Sequence, residues 1–376
     1  MLFRSMLALA CVVSFVLCAP PAGAQAAPVL PLLESSFTPT GVEPDPCFEF
    51  GCFNGSVLDH DTLATSGASF PGVYVFAKDR SGTWVSRGVL VNPELPNATD
   101  DRSFGAHLAL SGDDLLISGT ASGASKLYVF RRRGSTFGFR QALSVDVSTL
   151  RLGEDTALVG TGQDVRVFEK GRRGDYRLEA VLRAPDTADT SFGATLGLDG
   201  NTALIGAPGV SAAYAFERFC SRWVLVQKFT PSSGATEGGF ATALAIDRER
   251  IAIGAPSTPG ALVDRPGVVH LYLRRGFQWR LDHTIANPFP DDGNVRQFGT
   301  ALDLQGRRLL VSGFTSYPFA RGVPVNYLFD LGDVVRPVAV LDAGDATSVQ
   351  LSGRSALVDV TGFHFGTTPE IFDLTP

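Results

Sequence analysis

The residues with the chemistry to act on a substrate are few, and their spacing matches no known catalytic pattern. The histidines are His60, His107, His270, His283 and His364. None belongs to a His-x-x-x-His pair, which would set two imidazoles on one helix face for a metal. The chain has no Gly-x-Ser-x-Gly elbow, P-loop or dinucleotide fingerprint, so no catalytic residue, cofactor or metal is assigned. His107 and His270 fall inside apolar runs, where a packed or rim imidazole is expected rather than a base. His364 stands in a long aromatic segment, Thr361-Gly-Phe363-His364-Phe365-Gly366. A second such segment is Ser312-Gly-Phe314-Thr-Ser-Tyr317-Pro-Phe319-Ala-Arg321-Gly322, and Ser257 to Pro266 makes a third. Aromatic faces beside a guanidinium suit a sugar ring or a protein segment. Phe314, Tyr317, Phe319, Arg321, Phe363, His364 and Phe365 are therefore the candidate ligand-binding residues. The competing reading has these aromatics folding inward to plug a central channel.

The N-terminus points to export. Arg4 precedes an apolar run from Met6 to Cys18, followed by small residues through Ala26. This is a signal-peptide layout with an apolar run too short to span a bilayer, and cleavage is expected after Ala24 or Ala26. Residues 1–24 are read as the leader and 25–376 as one domain, secreted to the periplasm or the extracellular space. Export permits a disulfide, and Cys47 and Cys52 are close enough in sequence to form one, leaving Cys220 unpaired. The formal net charge of −6 argues against a nucleic-acid partner. No later segment has the length and apolarity of a membrane span. A monomer is expected.

The elements that must hold these residues come from a repeat. Phe104-Gly-Ala-His-Leu108-Ala-Leu110-Ser-Gly-Asp-Asp-Leu115-Leu-Ile-Ser-Gly119 is followed by Leu127-Tyr-Val-Phe130. The phrase returns at Phe192–Pro208 with Ala213–Phe216, at Phe240–Pro256 with Val269–Tyr272, and at Phe298–Gly313 with Asn326–Phe329. Weaker copies run from Ser56, Leu150 and Val349. Aligned on Leu58, Leu110, Leu152, Leu198, Ile246, Leu304 and Leu351, the copies are 52, 42, 46, 48, 58 and 47 residues apart. Seven copies at that period predict an all-β, seven-bladed β-propeller of four-stranded antiparallel blades. Strands two and three are apolar on consecutive positions, as in Val73-Tyr-Val-Phe76, so both sheet faces must be covered. The fourth strand is expected to open on an aromatic: Trp84, Phe139, Tyr176, Trp223 or Trp279.

The last copy ends after three strands. The mature N-terminus, Pro28-Val-Leu-Pro-Leu-Leu-Glu34, has a fourth-strand pattern and is predicted to complete the last blade beside Pro369–Leu374. Strand direction sorts the loops onto two faces. Hairpins one-to-two and three-to-four share one face, and the three-to-four hairpins are basic: Arg131-Arg-Arg133, Arg172-Arg173, Arg218 with Arg222, and Arg274-Arg275. Two-to-three loops and blade crossings share the other face, and the crossings are acidic: Asp100-Asp101, Asp186 with Asp189, Glu237, and Asp291-Asp292.

Phe-Gly, a tight turn, Ile-Gly-Ala-Pro, Tyr-Val-Phe and a Trp-led strand together resemble the FG-GAP repeat of bacterial secreted proteins, related to the propeller of integrin α-subunits. The resemblance covers 45–376 and is best at Phe192–Pro208 and Phe240–Pro256. It implies extracellular recognition or adhesion, with a protein or glycan partner. Calcium-binding members carry an Asp-rich loop between strands one and two. Here those turns are Ser111-Gly-Asp-Asp114, Asp199-Gly-Asn-Thr202, Asp247-Arg-Glu-Arg250 and the like, too short for six to eight oxygens. Calcium is therefore not carried over. A non-catalytic binding protein is expected, with a secreted hydrolase or lyase pocketed at the central channel as the alternative.

Overall fold

The computed structural model of the chain describes 32–33, 53–67, 72–96, 103–185, 191–231, 238–256, 267–288, 295–315, 326–343, 346–361 and 367–374. All of these lie in the compact unit Pro31–Pro376. Seven blades follow one another in chain order: 53–90, 108–144, 149–182, 195–229, 243–286, 295–341 and 346–373. Each of the first six is a four-stranded antiparallel meander, and the described part of the seventh has three strands.

The apolar runs dictate which strands lie deepest. Strand two is buried along its whole length in the first, third and fourth blades (Thr62–Gly67, Thr156–Gly160, Thr202–Ala207). The core therefore forms between blades rather than within them. Ala64, Val73 and Val75 of the first blade pack with Phe104, Leu115 and Ile117 of the second. Leu58, Leu63 and Phe76 meet Leu357 and Ile371 of the seventh. Strand four faces water, as in Gln278–Ala286 of the fifth blade, where only Trp279 and Ile285 are buried. Six blades share one irregularity, a bulge between strands three and four just before the aromatic of the Tyr-Val-Phe phrase: Val75/Phe76, Val129/Phe130, Val167/Phe168, Ala215/Phe216, Leu271/Tyr272 and Leu328/Phe329. The extra residue strengthens the twist each blade needs to nest on its neighbour.

The repeat phrase has a steric cause. Its Phe is fully buried on strand three of its own blade: Phe104 lies 5.7 Å from Tyr128, Phe192 5.6 Å from Tyr214 and Phe298 6.0 Å from Tyr327. In the fifth blade Phe240 stacks on His270 instead, at 5.7 Å. The following glycine is left-handed, with φ +98° at Gly105, and a Cβ there would lie 2.6 Å from Ser66 of the preceding blade. The carbonyl at this position accepts from a threonine of the preceding blade: Thr149 donates to Gly193 and Thr195 to Ala241, at 2.7 and 2.8 Å. Glycine on strand two, as at Gly206 and Gly254, leaves room for that same carbonyl. The Phe-Gly and Gly-Ala-Pro signatures are thus two sides of one blade-to-blade contact.

The innermost strand of each blade shows an unpaired edge to the axis, and side chains of the preceding blade cap it. Asp59 accepts from Gly112 N at 2.6 Å and Asp199 from Arg248 N at 2.5 Å, while Asp247 accepts from Gly306 N. Carboxylates at the one-to-two turns therefore staple blades. Ring closure uses the same device three times over. Ser56, Leu58 and His60, successive amides on one edge of the first blade's inner strand, donate to Asp359, Gln350 and Ser352 of the seventh, at 2.9, 2.9 and 2.6 Å.

Two expectations are corrected. The N-terminal strand, Leu32–Leu33, does not complete the seventh blade. It pairs in parallel with Val340 and Leu341 and makes a fifth strand on the sixth blade. An apolar segment with strand propensity can add to any open edge, and the outer edge of the sixth blade is one. The strand at 367–373 pairs instead with 355–361 and, through Thr367 and Phe53, with the first blade. In the second blade the buried aromatic of strand four is Phe137 rather than Phe139, which is 43% exposed. That strand opens three residues earlier, at Thr136.

Candidate functional site

The face with the crossings and two-to-three loops is where inner strands begin and second strands end. At that end of the channel lies a polar cavity of about 240 Å³. Its walls come from four consecutive blades of the closed ring: Thr347, Ser348 and Asp359 of the seventh, Ser56 and Val57 of the first, His107 and Leu108 of the second, and Leu150 of the third.

Asp359 is the unusual member. It ends the apolar run Ala356-Leu-Val358 on strand two, where the other blades place Ser66, Ser118, Gly160, Gly206, Gly254 and Ser312. It is fully buried. Its Oδ2 accepts from Ser56 N at 2.9 Å and from the Ser348 hydroxyl at 2.8 Å, but its Oδ1 has no hydrogen-bond partner among the described residues. Burial lifts its carboxyl above the ordinary carboxylate range, against the pull of Ser56 and Ser348. His107, half-buried just ahead of its blade's inner strand, is pushed down by burial and is neutral at pH 7. Next to Leu150, Arg151 reaches Asp303 of the sixth blade at 3.6 Å, so a charge pair links inner strands from opposite sides of the ring. Asp303 also accepts from Leu351 N at 2.6 Å, and burial raises its carboxyl. Chemically, the cavity is walled by hydroxyls and a neutral imidazole, with a buried carboxylate oxygen in its wall that lacks a donor among the described residues. Such a set suits a guest that brings hydrogen-bond donors, above all a cationic one.

Of the residues expected to bind ligand, Phe314 alone is described. It is half-buried and lies within strand two (Arg308–Thr315), paired with Arg296, rather than in the loop beyond. Tyr317, Phe319, Arg321, Phe363, His364 and Phe365 lie outside the described residues, as do Cys47, Cys52 and the acidic crossings. The segments holding those aromatics do join strands two and three of the sixth and seventh blades. His270 is a core residue, while His60 and His283 are exposed beside Asp59 and Asp282. Cys220 is an exposed thiol at a hairpin tip.

The basic hairpins have a structural use. Asp114, with a side chain 1% exposed, is held by Arg131 at 2.9 Å, by Lys170 of the next blade at 2.8 Å and by the Tyr176 hydroxyl at 2.9 Å. Burial alone would raise its carboxyl, but these three donors hold it below the usual range. Arg218 bridges to Glu169 and Glu179 of the third blade, and Arg274 to Glu217 of the fourth at 2.7 Å. Arg218 and Arg274 thus clamp neighbouring blades, as Lys170 clamps the third blade to the second, while the Arg131–Asp114 pair lies within the second blade.

No protein-family model matches the chain, and no curated protein matches it. Solved structures do. The β-propeller domain of Cps50 (Swd1) from Myceliophteria thermophila is similar at a TM-score of 0.58 and 12% identity, over 86% of this chain and 97% of that one. A Lactobacillus plantarum protein gives 0.55 and 12%, over 87% and 95%. Hydrazine synthase from Kuenenia stuttgartiensis gives 0.55 and 15%, over 88% and 97%. At these identities the likeness establishes the propeller fold and nothing about activity.

Proposed function

We propose that the chain is a secreted, non-catalytic recognition protein of the FG-GAP type. On this reading it works outside the cytoplasm and takes a protein or glycan ligand on the face of the crossings and two-to-three loops. The observation that supports this reading is Asp359, a buried carboxylate with one oxygen unpartnered, at a cavity on that same face. A buried acceptor left without a donor costs about 1–3 kcal/mol, which a ligand donor recovers on binding. The guest best fitted to it is an ammonium or guanidinium, borne by a lysine or arginine side chain or by an amino sugar. The test is a peptide and glycan array probed with the exported protein and with Asp359→Asn. The Asn variant keeps an acceptor for Ser56 and Ser348 but removes the charge. Binding concentrated on amine-bearing spots, and lost in the variant, is expected. Signal without that preference, or retained by the variant, would count against the assignment.

A second reading rests on His107 and Asp359 lining one cavity, the pairing of base and carboxylate that a hydrolase or lyase would use. Turnover of ester, lactone or glycoside probes by the wild type, abolished in His107→Gln, would favour it over recognition.

A further inference from the structure

The opposite face carries a feature that the inter-blade clamps do not explain. Three successive three-to-four hairpins expose apolar side chains at their tips: Phe219 in the fourth blade is 48% exposed, Phe277 in the fifth 85% and Val334 in the sixth 70%. Each belongs to a turn or its last paired residue (Phe219 opposite Arg222, Gly276-Phe277 between Arg275 and Gln278, Val334 just before Val335). Antiparallel alternation puts all three turns on one face, together with the one-to-two turns of the same blades. None of these three neighbouring apolar tips is among the residues of the hydrophobic core clusters, and their exposure to water is unfavourable in the free protein.

The charges around them identify the occupant. Arg222, Arg248, Arg275 and Arg336 are exposed at these hairpins, against exposed Glu249 and Asp333. The chain as a whole is acidic, at −6, so the local excess of arginine marks this rim as different from the rest. Protruding Phe and Val tips interleaved with arginines match the interface of an anionic bilayer: the apolar tips enter the acyl boundary while guanidinium groups meet phosphates. A folded protein partner would ask instead for a flat or concave apolar patch with a polar rim.

We infer that the hairpin tips of the fourth to sixth blades dock the propeller on an anionic lipid surface, reversibly and without a membrane span. The inference is independent of the proposed function, which concerns the other face. It also gives that function a geometry, because a ring seated on these tips presents its channel mouth away from the lipid.

The experiment is flotation of the full chain, secreted from an expression host, with vesicles of phosphatidylcholine alone or phosphatidylcholine with phosphatidylglycerol. Binding to the anionic vesicles alone is expected, weakening as salt rises. The triple variant Phe219→Ser, Phe277→Ser, Val334→Ser should abolish it. Arg222→Gln with Arg275→Gln should weaken it by about tenfold or more, each guanidinium near the surface being worth about fivefold. A polarity-sensitive dye on Cys220, beside Phe219, should shift to the blue with anionic vesicles, and Cys220→Ser subtracts any dye on other thiols. Equal melting temperatures would show that the variants fold. If the triple variant failed to fold, Phe277→Ser alone and the arginine pair keep the question open to a negative answer. No binding to anionic vesicles overturns the inference, as does binding indifferent to the tips. Self-association lost in the triple variant, without vesicle binding, would assign the tips to a second copy of the chain and overturn it as well.

Discussion

Single residues here have separable roles, and paired substitutions expose them. Gly105 and Gly112 are both left-handed, at φ +98° and +56°, but a Cβ at Gly105 would collide with Ser66 while one at Gly112 meets nothing within 4 Å. Gly112→Ala should cost about 1 kcal/mol for the backbone conformation alone. Gly105→Ala adds a clash at a blade contact and should cost roughly 1–3 kcal/mol more. Chemical denaturation of the two variants measures the difference; equal losses would mean the Phe-Gly glycine is chosen for its backbone freedom only. Asp114 makes the same kind of contrast with the surface pairs. Asp114→Ala strands Arg131 and Lys170 and frees a buried tyrosine hydroxyl, so about 3–5 kcal/mol is expected. Loss of the exposed Arg307–Asp330 pair, which water screens, should leave the denaturation midpoint almost unchanged.

At the scale of strands, the ring closes by amide-capping side chains rather than by an added strand. Gln350→Ala with Ser352→Ala removes two of the three acceptors on the first blade's inner strand, which should cost about 2–4 kcal/mol in total. Deleting 31–33 removes one short parallel ladder from the outer edge of the sixth blade and should hardly move the melting temperature. A large drop on that deletion, with none on the double substitution, would reverse the assignment. The failure of the sequence to show this is instructive. All seven copies were legible, down to which strands are covered on both faces, because consecutive apolar positions report a two-sided burial wherever the partner lies. Pro28–Glu34 showed that it could be a strand, but a ladder is a contact between distant segments, and nothing in an apolar hexamer states which edge it will meet. Asp359 was hidden for another reason: it lies in one of the weakest copies, inside an otherwise apolar run that reads as core. Alignment of the seven strands two, with Ser or Gly at that place in six and Asp in one, is the signal that would have found it. The loop aromatics are conspicuous by composition, but all except Phe314 lie outside the described residues.

Over the whole molecule, three buried carboxylates respond to acid in two opposite ways. Asp303 and Asp359 are buried at the axis and burial raises both, so the folded chain holds their protons at pH values where the unfolded chain has released them. Their contribution to stability is fully present below the ordinary carboxylate pKa and is lost as pH rises through the raised folded values. Asp114 runs the other way. Its clamp by Arg131, Lys170 and Tyr176 depresses the folded pKa, so its contribution is present above the ordinary value and is lost only as pH falls through the depressed one. Between the two windows lies a mildly acidic range in which the axial acids are already protonated and the Asp114 clamp is still ionised. Thermal stability should peak there, below neutrality. Asp303→Asn with Asp359→Asn removes the axial titrations while keeping acceptors for Leu351 and Ser56, so the rise in stability on going from pH 7 into that range should disappear. Ligand binding gives an opposite slope from the same group. An ammonium guest needs Asp359 ionised, so affinity should climb with pH through the raised value, and in Asp359→Asn it should be weak and flat. Melting curves across pH decide the first point and array binding across pH the second. A wild-type optimum unchanged in the double variant would mean that the axial acids are not held in their protonated form by the fold, and the case for Asp359 as a poised, ligand-seeking carboxylate would go with it.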